Sequence, residues 1–432
     1  MKTIDKTATM VLAAMTLVSC ASANKAQKPA DNMQATKMEN NMENLDNNYL
    51  ILSDEQNAAI DHTNAFALNL MRTLTGMEPQ VLSPLSVAYL MGMLANGANG
   101  DTQKEILATL NMDTNSINNL NESYKSIISM ASKLDRQTTI NIANIIAANK
   151  NISIKPEFAK LVGDMYKADV ESLDFSSPKA LKHINGWCKK QTEGMIPSII
   201  EQLDPNTTSV LMNAIYFYGT WTNKFDPDQT KEENFRGYTR DIRRVKMMHN
   251  EHEFHYIKNN DFAAVRLPYG NGTYSMTVIL PNEDKSVSEI INGLDTKKLH
   301  EMNESMEECI VDLKLPRFST TTETKLNNPI AKLGAPSMFQ SDKADFSNMS
   351  ATSMYVSAML QKAKIEVSEE GTKAAAVTAS IMAMISRQNH PQQSSGNNPN
   401  NTTSIWQQLT TRRSSFRWWE CLKSSHKTKN KY

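Results

Sequence analysis

The sequence predicts an α+β fold, on three observations. The first quarter of the globular region carries helix-capping residues followed by apolar positions at helical spacing. Later segments are short apolar or alternating runs of the strand type. No internal repeat and no alternating βαβ pattern joins the two, so helices and strands are expected to segregate.

Ser53-Asp54-Glu55-Gln56 is a capping-box pattern that opens a helix with apolar positions Ile60, Ala67, Leu70, Met71 and Leu74. Ser83-Pro84 sets a capping serine before a first-turn proline. The helix that follows carries Leu85, Ala88, Met91 and Leu94 and is expected to stop at Asn96-Gly97 in a left-handed turn. Thr102 with Glu105 reads as a further capping box. Ser209 to Tyr218 is almost continuously apolar, as a strand covered on both faces requires. Phe262 to Pro268 and Tyr274 to Leu280 flank Gly270-Asn271-Gly272 and predict a hairpin. Ile310 to Leu315 and Lys364 to Val367 alternate with the period of two that strands show.

The two ends differ from this middle. Lys2 and Lys6 precede an apolar run from Ala8 to Val18, too short to span a bilayer but suited to a signal peptide. The run ends Leu17-Val18-Ser19-Cys20, which resembles the lipobox of bacterial lipoproteins and implies lipidation of Cys20 after cleavage. No Asp follows the cysteine, which favours the outer membrane. Residues 21–48 are rich in Asn, Lys, Ala and Met without an aromatic residue, and read as a flexible tether. The expected division is a leader over 1–20, the tether over 21–48, a globular domain over 49–386 and a low-complexity tail over 387–432.

Charge and motifs exclude several functions. The 46 Lys plus Arg balance 46 Asp plus Glu, so nothing marks a nucleic-acid binder or a polybasic membrane patch. There is no GxSxG elbow, HExxH pair or phosphate loop. His249, His252 and His255 would share a face only on a helix, and their segment lacks a helical stripe. A solvated loop or edge strand is expected there, with no metal. Cys188 and Cys309 read as buried thiols.

The segment Glu369-Glu370-Gly371-Thr372-Lys373-Ala374-Ala375-Ala376-Val377-Thr378-Ala379 resembles the hinge of a serpin reactive-centre loop. Further blocks similar to that family stand in the family's order. They are Ser83-Pro84-Leu85-Ser86, Leu94 to Ala98, Ile184-Asn185 with Trp187, Asn213 to Phe217 with Trp221, Leu267-Pro268-Tyr269, Leu315-Pro316, and Ala344 to Ser347. They cover roughly residues 50–386. The resemblance implies a serpin-like fold with three β-sheets, about eight or nine helices and an exposed reactive-centre loop. It implies a monomeric suicide inhibitor of a serine or cysteine protease, with no cofactor and no catalytic residue of its own. Counting from Gly371 as family members do places the scissile bond at Ile385-Ser386, with Met384 and Arg387 as alternative specificity residues. An apolar Ile385 or Met384 suits an elastase-like or chymotrypsin-like pocket, and Arg387 a trypsin-like one.

The hinge also has a physical reading. As a strand it would place Thr372, Ala374, Ala376, Thr378 and Ser380 on one face, all small, and Lys373 on the other. This suits a strand that slides into a sheet buried on one side. Such a strand of about 15 residues spans roughly 50 Å. Its new hydrogen bonds would release on the order of 10–20 kcal/mol, enough to drag and distort an acyl-bound protease.

After Ser386 the resemblance stops. Family members continue with an apolar segment and two further core strands, whereas this tail is polar apart from a basic-aromatic cluster, Arg412, Arg413, Arg417, Trp418 and Trp419. Back-translation of Trp406 to Arg412 permits Ala-Thr-Thr-Asp-His-Pro in another frame, which resembles the absent family segment. A frameshift is therefore the expectation. The rival functional readings are a non-inhibitory or degenerate remnant and a surface lipoprotein used for adhesion.

Overall fold

The computed structural model describes residues 52–74, 80–236, 242–385 and 423–424. The helical first quarter consists of α1 (Asp54–Leu74), α2 (Pro84–Gly97), α3 (Gly100–Thr109) and α4 (Ile117–Met130). Then follow β1 (Thr138–Asn149), α5 (Pro156–Tyr166), β2 (Ala168–Leu173), α6 (Pro178–Gln191) and β3 (Thr207–Thr220). Next come β4 (Lys231–Arg236), β5 (Ile242–Lys258), β6 (Phe262–Tyr269), β7 (Tyr274–Pro281), α7 (Val287–Gly293) and α8 (Thr296–Glu304). The last are β8 (Glu307–Pro316), β9 (Phe318–Lys325), α9 (Asn327–Leu333), β10 (Met354–Val367), β11 (Gly371–Met384) and the short β12 (Lys423–Ser424). Nine α-helices thus lie among the described residues.

Among the described residues the strands join into two six-membered sheets, two of the three expected sheets being continuous with each other. One runs β2-β1-β3-β11-β10-β9; the other runs β12-β8-β5-β6-β7, with β4 on β5. The reason is β5, which is unbroken from Ile242 to Lys258. Its first part pairs with β4 and β8 and its last residues with β6, so two would-be sheets share one strand.

The first sheet is buried on both faces. One face carries Leu211, Ile215 and Met382 against the helices α1 to α5 and α9. Further along that face Phe217, Ile365 and Ala376 meet the second sheet through Met248, Leu267, Met276 and Leu313. The opposite face is closed by α6, whose Ala180, Ile184 and Cys188 recur every four residues and join Val210, Met212 and Ala214. A fourth cluster packs Leu68 of α1 with Phe262 of β6 and the α7–α8 pair.

Several local expectations hold and several do not. The first capping box closes as expected, with Ser53 N donating to Gln56 Oε1 at 2.9 Å and Gln56 N to Ser53 Oγ at 3.3 Å. The Gly270–Gly272 turn joins β6 to β7 with both glycines at positive φ. Ser83 makes no side-chain cap. Gly97 ends α2 without a left-handed backbone; a Cβ there would come 3.1 Å from Met349 Cβ and 3.2 Å from Phe158 Cε2, so close packing favours glycine. Thr102 lies inside α3, whose N-cap position is Asn99. There its hydroxyl accepts from Asp345 N, and Glu105 accepts from Ser337 N. The three histidines lie on β5, paired with β8 and, at His255 alone, also with β6, so His249 and His252 stand on a free edge as expected, and alternation sets His252 on the face opposite His249 and His255. Cys188 is buried, but Cys309 is only half-buried.

Candidate functional site

The site is built around β10, the turn Ser368–Gly371 and β11. The turn is a tight hairpin, with Ser368 N donating to Gly371 O at 2.9 Å. From it the chain does not leave the sheet as an exposed loop. Gly371 to Met384 runs as a 14-residue strand, antiparallel to β10 on one side and to β3 on the other along nearly its whole length. The expectation of an exposed loop is therefore corrected: the hinge residues Thr372, Ala374, Ala375, Ala376 and Thr378 are strand residues in the middle of the sheet. The cause is composition. Small side chains with two free backbone edges gain a full ladder of hydrogen bonds on both sides and meet no steric cost.

The hinge end is clamped by the start of the chain that leaves β3. Trp221 N donates to Glu370 O and Phe225 N to Glu369 O, at 2.9 and 3.1 Å. The Trp221 indole donates to Ser368 O and stacks on Tyr269, their rings 4.5 Å apart. Glu369 is buried, accepts from Thr230 Oγ1 at 2.9 Å and lies 3.6 Å from the Arg317 guanidinium. Glu370 is exposed and pairs with Lys224 at 2.6 Å, which raises the Lys224 ammonium above its ordinary range. Gly371 approaches β3 so closely that a Cβ would stand 2.0 Å from Gly219 O.

Inside the sheet, one face of β11 behaves as the small-residue pattern requires. Thr372 is 2% exposed, and its hydroxyl lies 2.7 Å from the Tyr269 hydroxyl. Burial pushes the Tyr269 phenol well up. Ala376 meets the second sheet. Thr378 is fully buried, accepts from Gln361 Nε2 at 2.7 Å and shares a hydrogen bond with Ser86 Oγ at 2.8 Å. Gln361 also holds Ser83 through both of that residue's backbone groups. Ser380 is buried too, its hydroxyl without a partner.

The other face differs from the expectation of one water-facing side. Lys373 is exposed, its ammonium 5.3 Å from the centre of the Tyr218 ring. Beyond it Ala375, Val377 and Ala379 are buried with Ala180, Ile184 and Cys188 of α6. Val377 in an otherwise small tract, and the every-fourth apolar row of α6, were the signals for this cover. Sequence reading also missed Trp221, Tyr269, Arg317 and Gln361 as partners of the hinge, since the first three come from far along the chain and Gln361 reaches across from β10.

At its far end β11 emerges into solvent. Met384 is exposed, and Ile385 N still donates to Ser353 O at 3.0 Å. Ser386, Arg387 and Cys20 lie outside the described residues. Among the described residues no group of histidine, cysteine and carboxylate side chains is placed to hold a metal.

The comparisons agree with this geometry. The family model described as Serpin (serine protease inhibitor) matches residues 61–400. The leukocyte elastase inhibitor of Homo sapiens is 35% identical over 332 residues, covering 73% of this chain and 87% of that protein. Leukocyte elastase inhibitor A of Rattus norvegicus is 36% identical over the same shares. Among solved structures, the thermophilic serpin tengpin in the latent state superposes with a TM-score of 0.71 at 30% identity, covering 76% of this chain and 90% of that one. Reactive-loop-cleaved human thyroxine-binding globulin gives 0.71 at 25% identity, over 76% and 99%. With a family model matched across most of its length and a hinge strand seated between β3 and β10, the chain belongs to the serpin family of protease inhibitors.

Proposed function

We propose that this serpin traps an elastase-like serine protease, with the bond Ile385-Ser386 as the point of attack. The observation that carries this is the seat of β11, which ends at Met384, one residue before that bond. The protease serine would attack the Ile385 carbonyl, forming an ester to Ile385 and releasing the Ser386 amine. The freed segment then takes its place in the sheet and carries the acylated end roughly 46 Å from the hinge. Distortion of the enzyme leaves the ester unhydrolysed, because deacylation tolerates little misplacement. An apolar Ile385 or Met384 fits an apolar pocket, and the elastase inhibitors among the relatives point the same way. The chain acts as inhibitor and bait, not as a catalyst.

The test is incubation with elastase-, chymotrypsin-, trypsin- and papain-like proteases, followed by denaturing gels and mass analysis of the released C-terminal peptide. The expected result is a covalent complex with the first and a peptide beginning at Ser386. Cleavage with no complex for any protease would overturn the reading.

A second reading has its own observation. β11 is seated in a chain whose sequence continues past Ile385. A chain that reaches this arrangement uncut stores no strain, and would be non-inhibitory. The proposed frameshift supports it, since the tail after Ser386 lacks the family ending that would hold the loop out of the sheet. Sequencing the gene in all three frames tests this.

The lipobox supports an exported protein, tethered through Cys20 and residues 21–48 to the outer membrane, with the serpin domain over 49–386 acting as a monomer. Metabolic labelling with a fatty acid, lost in Cys20→Ala, is the expected result.

A further inference from the structure

The inner face of β11 carries three hydroxyls, and the sheet does not treat them alike. Thr372, at the hinge end, meets the Tyr269 hydroxyl at 2.7 Å. Thr378 accepts from Gln361 Nε2 and shares a hydrogen bond with Ser86 Oγ. Ser380, two residues on, is fully buried and its Oγ has no partner in the protein. Its direct neighbours across the sheet are Leu211 on β3 and Met359 on β10, two members of one apolar cluster whose side chains offer no N–H and no oxygen. Its diagonal neighbours on β3 are Ser209 and Asn213. Both are fully buried, and Ser209 Oγ and Asn213 Oδ1 are likewise unpartnered. Asn213 cannot turn to help. Its Nδ2 donates to Asn144 Oδ1 at 2.9 Å, and Asn144 in turn donates to Tyr166 O. Three polar atoms thus share one patch of the inner face without bonding to each other.

We infer that Ser380 is a brake on the seating of β11. Before the strand seats, water satisfies this hydroxyl. Seating strips that water and supplies no protein group in its stead, and carrying one water in would cost the water its freedom. An alanine here would lose nothing. The brake also acts late. The turn Ser368–Gly371 fixes the hinge end, so the shortest loops close first and the strand zips from Thr372 toward Met384. It can seat as far as Thr378 with each inner hydroxyl matched, and Ser380 is the first that the sheet leaves unpaired. An insertion trap needs its uncut segment to wait. A penalty placed past the middle of the strand slows premature seating without loosening the hinge, and a cut segment has drive enough to override it. That use of the brake rests on the insertion mechanism proposed above; the penalty itself does not.

The test compares the full chain with Ser380→Ala and Thr378→Ala by native-state hydrogen exchange. Exchange of the β11 amides reports how often the strand leaves its seat. Ser380→Ala should slow exchange of the amides from Ala379 to Ala383 about tenfold, equivalent to about 1.4 kcal/mol. Thr378→Ala removes a matched hydroxyl and leaves the Gln361 amide short of an acceptor, so it should speed exchange of the same amides. Exchange that is unchanged or faster in Ser380→Ala would overturn the inference, because it would mean that the buried hydroxyl is bonded. No protease enters this measurement. A missing covalent complex on the gels therefore leaves its result standing, and its failure is not mistaken for a failure to trap.

Discussion

The Gln361 amide donates to the Thr378 hydroxyl at 2.7 Å while its other hydrogen bonds hold the backbone of Ser83. One side chain on β10 therefore joins the start of α2 to the middle of β11. Thr378→Val keeps the shape and removes the acceptor, leaving a fully buried amide N–H unpaired. The inserted form should lose about 1–3 kcal/mol, read as a lower denaturant midpoint with unchanged slope. Thr378→Ser should recover most of it.

Thr372 is buried against Tyr269 at the edge of an apolar cleft, where a long cation would be stripped of water. In a version with an intact family ending, Thr372→Arg should form no covalent complex and be cleaved as a substrate, because the charge would have to enter a buried face. Undiminished complex on gels would refute the placement of Thr372 on the inner side of β11.

Gly371 stands where a Cβ would collide with Gly219 O. The backbone cannot yield without opening the ladder between β3 and β11 at its first rungs. Gly371→Val should therefore slow insertion and cut the gain in melting temperature that nicking produces, while Gly186→Ala, at a glycine with open space around it, should not.

The Asp174 carboxylate, held by Lys150 and Ser176, has its pKa lowered to about 2. A carboxylate depressed in the folded state adds stability above its unfolded value, near 3.9, and loses it as pH falls through about 2. Asp174→Asn should be less stable than the parent at neutral pH, and the gap should close between about pH 4 and 2 in acid titrations followed by circular dichroism. The pair is exposed, so the effect should shrink in high salt.

Burial pushes the Cys188 thiol up to about 12. It should resist alkylation at pH 8 in the native protein. Cys309, half-buried on β8, should react first. Equal rates for the two would mean that α6 is not seated as described.

How far these features were legible varies with how local their cause is. The capping box at Ser53 and the Gly270–Gly272 hairpin were readable because a few adjacent residues decide them. The run from Ser209 to Tyr218 was readable as a strand covered on both faces because no position in it demands water. Thr102 and Gly97 were misjudged because their short-range patterns are overruled by Asp345 and Met349, which arrive from far along the chain. The small face of β11 was legible from period two alone. Its covered face was not read, since its two signals, Val377 and the apolar row of α6, stand far apart in the chain and nothing local links them. The exposed loop was inherited from the resemblance, while the residues themselves read as a strand that the sheet would accept. That two of the expected sheets share one strand was not legible, because strand patterns say nothing about whether β5 breaks.

α6 has a consequence in time. Its row of Ala180, Ile184 and Cys188 seals the cluster that Ala375, Val377 and Ala379 complete, so those three cannot arrive while the helix sits tight. Passage of the strand must lift the helix for a moment, and a captured enzyme is free to hydrolyse its ester during that delay. Whether the outcome is capture or escape then depends on a contest of two clocks. Cys188, sealed before and after, would be open to a thiol reagent only in that interval, so a pulse of label timed from cleavage would report how long the gate stands ajar.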